Sequence, residues 1–137
     1  MTAADRKTDL VWNLLRGAFA VVPIAAGADK FFEKLADWDM YLSPAFEKLL
    51  PVAPDLAMRA AGVVEIAVGI LMLTRFTRLA AYTASAWLAL IALNLIVGGL
   101  FYDIAVRDLV LALAAFCLAQ LTEARALRTA SAGGAAV

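Results

Sequence analysis

Four long apolar stretches, cut apart by clusters of charge, constrain this chain more than any other feature of its sequence. They run over about residues 10–28, 56–74, 79–102 and 104–122. A helix of about 20 residues crosses a hydrocarbon layer about 30 Å thick, and each stretch reaches that length. The stretches are rich in alanine and leucine and do not alternate polar with apolar residues, so strands fit poorly. In a chain of 137 residues that is 64% hydrophobic and only 18% charged, a water-soluble fold could not hide so much apolar surface. The expected fold class is all-α: one transmembrane domain over 1–137, built as an integral membrane four-helix bundle with a short helical loop outside the membrane.

The first stretch has a rival reading as a signal peptide. Arg6 and Lys7 precede it, and Ala26-Gly27-Ala28 resembles a small-residue cleavage site. Arg16 lies inside the stretch, where a signal sequence is purely apolar, and we read it as a span. Lysine and arginine then set the orientation. Arg6 and Lys7, the Arg75–Arg78 link, and Arg125 with Arg128 fall on one side of a four-span protein. That side is expected to be the cytoplasm, with both termini inside.

The outer loop, 31–54, carries Phe31, Phe32, Leu35, Trp38, Tyr41 and Leu42 at near-helical spacing, which predicts a short helix lying at the membrane interface. Ser43-Pro44 reads as an N-cap and N1 proline opening a second short helix through Leu50. Asp55 is expected to cap the second span. Gly98-Gly99 is expected to end the third. Residues 129–137 read as a disordered tail.

The ionisable residues inside the spans are the candidate site. Glu65 is central in the second span and shares a face with Gly62 and Gly69, which allow close helix approach. An unpaired carboxylate at that depth costs at least about 2.5 kcal/mol, so Glu65 must be paired, protonated or open to a wet cavity. Arg16 is its expected partner. A buried pair that fixes register and a group that handles ligand or protons both remain open readings. Toward the outer face, Asp29 and Lys30 close the first span, Arg59 lies one turn into the second, and Asn94 lies late in the third. Asp103, Arg107 and Asp108 open the fourth. Asp103 and Arg107 are spaced to pair along one helix. Asp108 is placed to accept from Arg59 or Lys30. Together these groups predict a polar pocket open to the outer face, with the loop as its lid. For Lys30 and Arg59 the competing reading is snorkelling to the interface.

Composition narrows the chemistry. There is no histidine, and Cys117 is the one cysteine, so a histidine-ligated metal or haem, a CxxC pair and a cysteine cluster are excluded. No metal site is expected. Twelve basic residues balance twelve acidic ones, which leaves no global charge for nucleic acid.

The order of short motifs resembles the DoxX-like family of small four-span bacterial membrane proteins. The matching features are Arg16 followed by Gly27-Ala-Asp-Lys30 and Phe31-Phe32, then Gly62-Val-Val-Glu65 with Gly69 and a run to Thr77-Arg78, then Asp103-Ile-Ala-Val-Arg107-Asp108-Leu109. The resemblance maps the family's buried arginine and glutamate onto Arg16 and Glu65, and its late Arg-Asp pair onto Arg107 and Asp108. It implies a bacterial inner-membrane protein associated with oxidoreductase systems, among them a thiosulfate:quinone oxidoreductase subunit and a complex of oxidative-stress defence. The reading this favours is a non-catalytic subunit or a binder of a small amphipathic molecule, quinone or lipid. No cofactor-binding motif is recognisable, and quinone is the cofactor the resemblance suggests. The alternatives are a quinone-linked oxidoreductase subunit that needs a partner subunit, and a small transporter or structural scaffold. Membrane lipid is the expected surrounding, and homo-oligomers remain open.

Overall fold

The computed structural model describes residues 2–134. Its elements are α1 (Ala3–Asp29), a single 3-10 turn (Asp39–Tyr41), α2 (Pro44–Leu49), α3 (Pro54–Met72), α4 (Thr77–Gly98) and α5 (Tyr102–Gly134). The chain is all-α among the described residues. Helices α1 and α3 pack as one antiparallel pair, α4 and α5 as another, and the α3–α4 and α1–α5 contacts close the ring. Both termini therefore lie at one end, the terminal end. The segment between α1 and α3 lies at the other, the loop end.

Local signals set the helix limits. Thr2 and Asp5 form a reciprocal capping box, with the Asp5 amide donating to Thr2 Oγ1 at 3.1 Å and the Thr2 amide to Asp5 Oδ2 at 2.8 Å. This starts α1 well before the apolar stretch. At the other end of α1 the Phe32 and Glu33 amides turn back onto the Asp29 carbonyl, and Glu33 adopts φ +50°. That left-handed residue stops helical winding. Ser43 accepts from the Phe46 amide and opens α2 at Pro44, as the sequence predicts. Gly99, at φ +71°, ends α4 in a conformation glycine adopts without steric cost.

Three expectations are corrected. Residues 31–38 are not an interfacial helix; that segment is turns and bends. Asp55 is not the cap of α3: Ala53 holds that position without a side-chain bond, and Asp55 lies in the first turn. The expected disordered tail is helical through Gly134, because α5 continues straight on from the fourth apolar stretch; residues 135–137 lie outside the described part.

The packing is built on small residues. Of the buried apolar side chains, most are alanines, among them Ala20, Ala81, Ala92, Ala115 and Ala119. Between α1 and α3 the approach is closer still. A Cβ on Gly27 would lie 2.5 Å from the Gly62 carbonyl oxygen, and one on Gly62 would lie 2.6 Å from that of Gly27. Gly69 meets Ala20 in the same register. Large apolar residues such as Leu14, Val21, Ile70, Leu93 and Val110 point outward. That is the inverse of a water-soluble bundle and the arrangement expected where lipid is the solvent. Helices α1, α4 and α5 are long and apolar enough to cross a membrane. Helix α3 has 19 residues but carries Asp55, Arg59 and Glu65.

Candidate functional site

Glu65 lies on the glycine face of α3, where the α1 contact leaves no room for lipid. The expected Arg16 pair does not form. Glu65 Oε2 instead meets Lys30 Nζ at 2.7 Å, with the two residues 8% and 7% exposed. The glycine contacts explain the exchange. They fix an antiparallel register that sets Arg16 beside the end of α3, about a turn and a half farther from Glu65 than the lengths of the apolar stretches imply. Lys30, just past the end of α1, folds its stem inward along the bundle. This is the opposite of snorkelling.

Two indoles complete the unit. The Lys30 ammonium lies 3.8 Å from the centre of the Trp38 ring, a cation–π contact strengthened by exclusion of water. Trp87 Nε1, from α4, faces Glu65 Oε1 at 3.4 Å, a long hydrogen bond. Trp38 Nε1 in turn donates to Asp29 Oδ2 at 2.9 Å. Asp29 also accepts the Lys34 and Leu35 amides, at 3.1 and 2.9 Å. One carboxylate thus satisfies three donors of the loop and holds Trp38 over the buried pair. The chain of contacts runs Asp29–Trp38–Lys30–Glu65–Trp87 and ties α1, the loop, α3 and α4 together.

Asn94 performs a second anchoring. Its Oδ1 accepts the Ser43 amide at 2.9 Å and its Nδ2 donates to the Tyr41 carbonyl at 2.6 Å. The loop is thereby clamped to the loop-end half of α4. Beside this clamp is a cavity of about 190 Å³, walled by Met40, Tyr41, Leu42, Leu95, Leu100 and Phe101, with Ser43 and Asn94 at its polar edge. Tyr41 meets Phe101 edge to face, ring centres 4.8 Å apart. Phe101 holds φ +59°, an uncommon conformation for a bulky side chain. In the adjoining 3-10 turn Asp39 Oδ1 is buried without a hydrogen-bond partner.

The remaining expected site residues do not converge. Arg59 and Asp103 are exposed and form no ion pair among the described residues. Arg107 pairs with its neighbour Asp108 at 3.0 Å rather than with Asp103, and Asp108 accepts from Arg107, not from Arg59. The Asp108 residue is 3% exposed, whereas the Arg107 side chain is 63% exposed. Arg16 works at the terminal end, where Nε and Nη2 donate to the Met72 and Thr74 carbonyls at 2.8 and 3.2 Å and so cap α3. Trp12 packs at the same end. It lies between Arg16 and Arg125, whose guanidinium carbons are 4.8 and 4.0 Å from its ring centre, and its Nε1 donates to Thr122 at 2.8 Å. The single pocket expected from sequence therefore divides into a buried ion pair, an uncharged cavity and a separate capping site.

Sequence reasoning missed Trp38, Tyr41 and Ser43 as polar partners, and none of them carried a charge to draw attention. The signal was available in Asn94: an amide buried in an otherwise apolar helix needs a donor and an acceptor, and only the loop lies within reach. No group of three metal-ligating side chains occurs among the described residues. The cavity sets apolar walls against a polar edge at Ser43 and Asn94, and the buried Lys30–Glu65 pair is a separate unit that is neutral overall.

These features define a class, the small multi-pass helical membrane protein with a loop folded back over one end. Within it the chain belongs to the DoxX family, whose model matches residues 11–99. The match includes the Lys30–Glu65 pair, the loop and Asn94, and it stops before α5, which carries Arg107 and Asp108. No curated protein and no solved structure matches the chain.

Proposed function

We propose that this protein is a non-catalytic membrane subunit of an oxidoreductase system that holds the ring of a quinone-like amphipathic molecule in the loop-end cavity. The observation that carries the reading is the cavity itself. At about 190 Å³ it exceeds the roughly 150 Å³ that admits a benzene ring, and its walls are apolar except at Ser43 and Asn94. Family membership supports the association with redox partners.

In this reading α3 also crosses the membrane, as the second of four spans, its Glu65 neutralised by Lys30, and the terminal end faces the cytoplasm of a bacterial inner membrane. The charge distribution supports that orientation. The terminal end holds seven of the twelve basic residues and three of the twelve acidic ones; the loop end holds the other five basic and eight acidic residues, with Glu65 within the span. A scaffold role is the second reading, favoured by the internal pairing of Lys30 with Glu65. The deciding experiment is purification in mild detergent, followed by an absorbance spectrum and mass spectrometry of the extract. A stoichiometric quinone that Leu95→Trp displaces supports ring binding. A folded preparation carrying only bulk lipid refutes it and favours the scaffold.

A further inference from the structure

The terminal end carries a second, larger cavity, of about 290 Å³, between the α3–α4 turn and α5. Arg75, Phe76, Arg78 and Leu79 line one side, Thr122 and Glu123 the other. Its arginines differ from Arg16, Arg125 and Arg128 at this end. Arg16 is committed to backbone carbonyls, and Arg125 and Arg128 to Asp5 and Asp9. Arg75 has no acidic partner among the described residues, and the largely exposed Arg78 reaches Glu123 only at 3.9 Å. That carboxylate already accepts from Tyr82. No side chain caps the N-terminus of α4 beside them, so its first amides are free to face an anion. Around these cations Leu73, Phe76 and Leu79 are exposed. Cationic heads above an exposed apolar collar, where the helices leave the apolar zone, form a surface made for one end of a phospholipid.

We propose that this cavity binds the headgroup of an anionic phospholipid, with the phosphodiester between Arg75, Arg78 and the α4 N-terminus and the acyl chains along Leu79 and Phe76. Two arginines against one glutamate leave a single net positive charge, which matches one phosphodiester. Glu123 then faces the distal part of the headgroup, where it accepts from a hydroxyl and repels a second phosphate. The occupant is accordingly of the phosphatidylglycerol type. The site is independent of the loop-end cavity and of whatever that holds.

The test is native mass spectrometry of the full chain in detergent with phosphatidylglycerol or phosphatidylcholine of identical acyl chains. Retention of phosphatidylglycerol is expected to exceed that of phosphatidylcholine at least fivefold. Arg75→Gln with Arg78→Gln is expected to abolish that preference. Arg6→Gln with Lys7→Gln removes the same charge from the same end but outside the cavity, and is expected to keep it within twofold. Equal retention of the two lipids by the unmodified protein overturns the proposal without relying on any variant. An equal loss in both double variants also overturns it, because diffuse charge would then suffice. Displacement of phosphatidylglycerol by millimolar inorganic phosphate would assign the site to a free anion and overturn the lipid assignment.

Discussion

Removing the charge from Glu65 isolates the buried pair. Glu65→Gln keeps the size and the contact with Trp87 but leaves the Lys30 ammonium, 7% exposed, facing a neutral amide and the Trp38 ring. Breaking one side of a buried pair in water-soluble proteins costs about 3–5 kcal/mol. In a membrane the unfolded reference also finds polar partners, and measured hydrogen-bond couplings average about 0.6 kcal/mol. The 2.7 Å charge-assisted geometry and the cation–π contact place this pair between those limits. We expect a loss of about 2–3 kcal/mol, or roughly a 30- to 150-fold rise in the unfolding constant. The assay is reversible unfolding in mixed micelles, followed by tryptophan fluorescence, since two of the three tryptophans touch the pair. Lys30→Met alone should cost a similar amount. The double variant should recover at least half of the summed loss, because neither charge is then left unpaired. A loss below about 0.5 kcal/mol for Glu65→Gln, or strict additivity of the two changes, would refute the reasoning.

Three further outcomes follow from the packing. Gly62→Leu should separate α1 from α3 and lower stability by several kcal/mol, whereas Gly17→Ala, with open space around it, should stabilise by up to about 1 kcal/mol; thermal unfolding of both distinguishes close approach from helix propensity. Asn94→Leu strips the Ser43 amide and the Tyr41 carbonyl of their partners, so the Ser43 amide should exchange with solvent at least tenfold faster while amides within α1 stay protected. Asp5→Asn with Asp9→Asn should destabilise the protein less than Glu65→Gln does, and the difference from the unmodified chain should shrink at high salt, because these pairs with Arg125 and Arg128 are partly exposed.

The architecture was legible because hydrophobic length and charge placement speak directly to membrane crossing. The glycine face around Glu65 was legible for a related reason: Gly62 and Gly69 flank the acid at helical spacing, and only a close helix neighbour makes use of both. The identity of the partner was not legible. It depends on axial register, which two backbone contacts of a few ångströms set, and the ends of an apolar run do not report that register. The loop misled for a different reason. Its aromatic spacing suits a helix, but the Asp29 carboxylate takes the amides of Lys34 and Leu35, and Glu33 turns left-handed. Side-chain competition for backbone donors overrides periodicity there. The cavity could not be read at all, since it arises from elements 50 residues apart and from residues that carry no charge.

The ring of helices has a seam, and the order of synthesis decides when it closes. Helices α1 and α3 can zip together through Gly27 and Gly62 while the rest of the chain is still being made. The α4–α5 hairpin can close only after α5 has been made. Only when Arg128 has emerged can it reach Asp5, 123 residues earlier, and join the two halves. Until then the α1 flank that α5 will cover stays open within the bilayer. A chain arrested before α5 would present that flank and the unpartnered side of α4 to its neighbours. An insertion chaperone that shields such surfaces would be needed for as long as the ribosome takes to reach the far side of the seam.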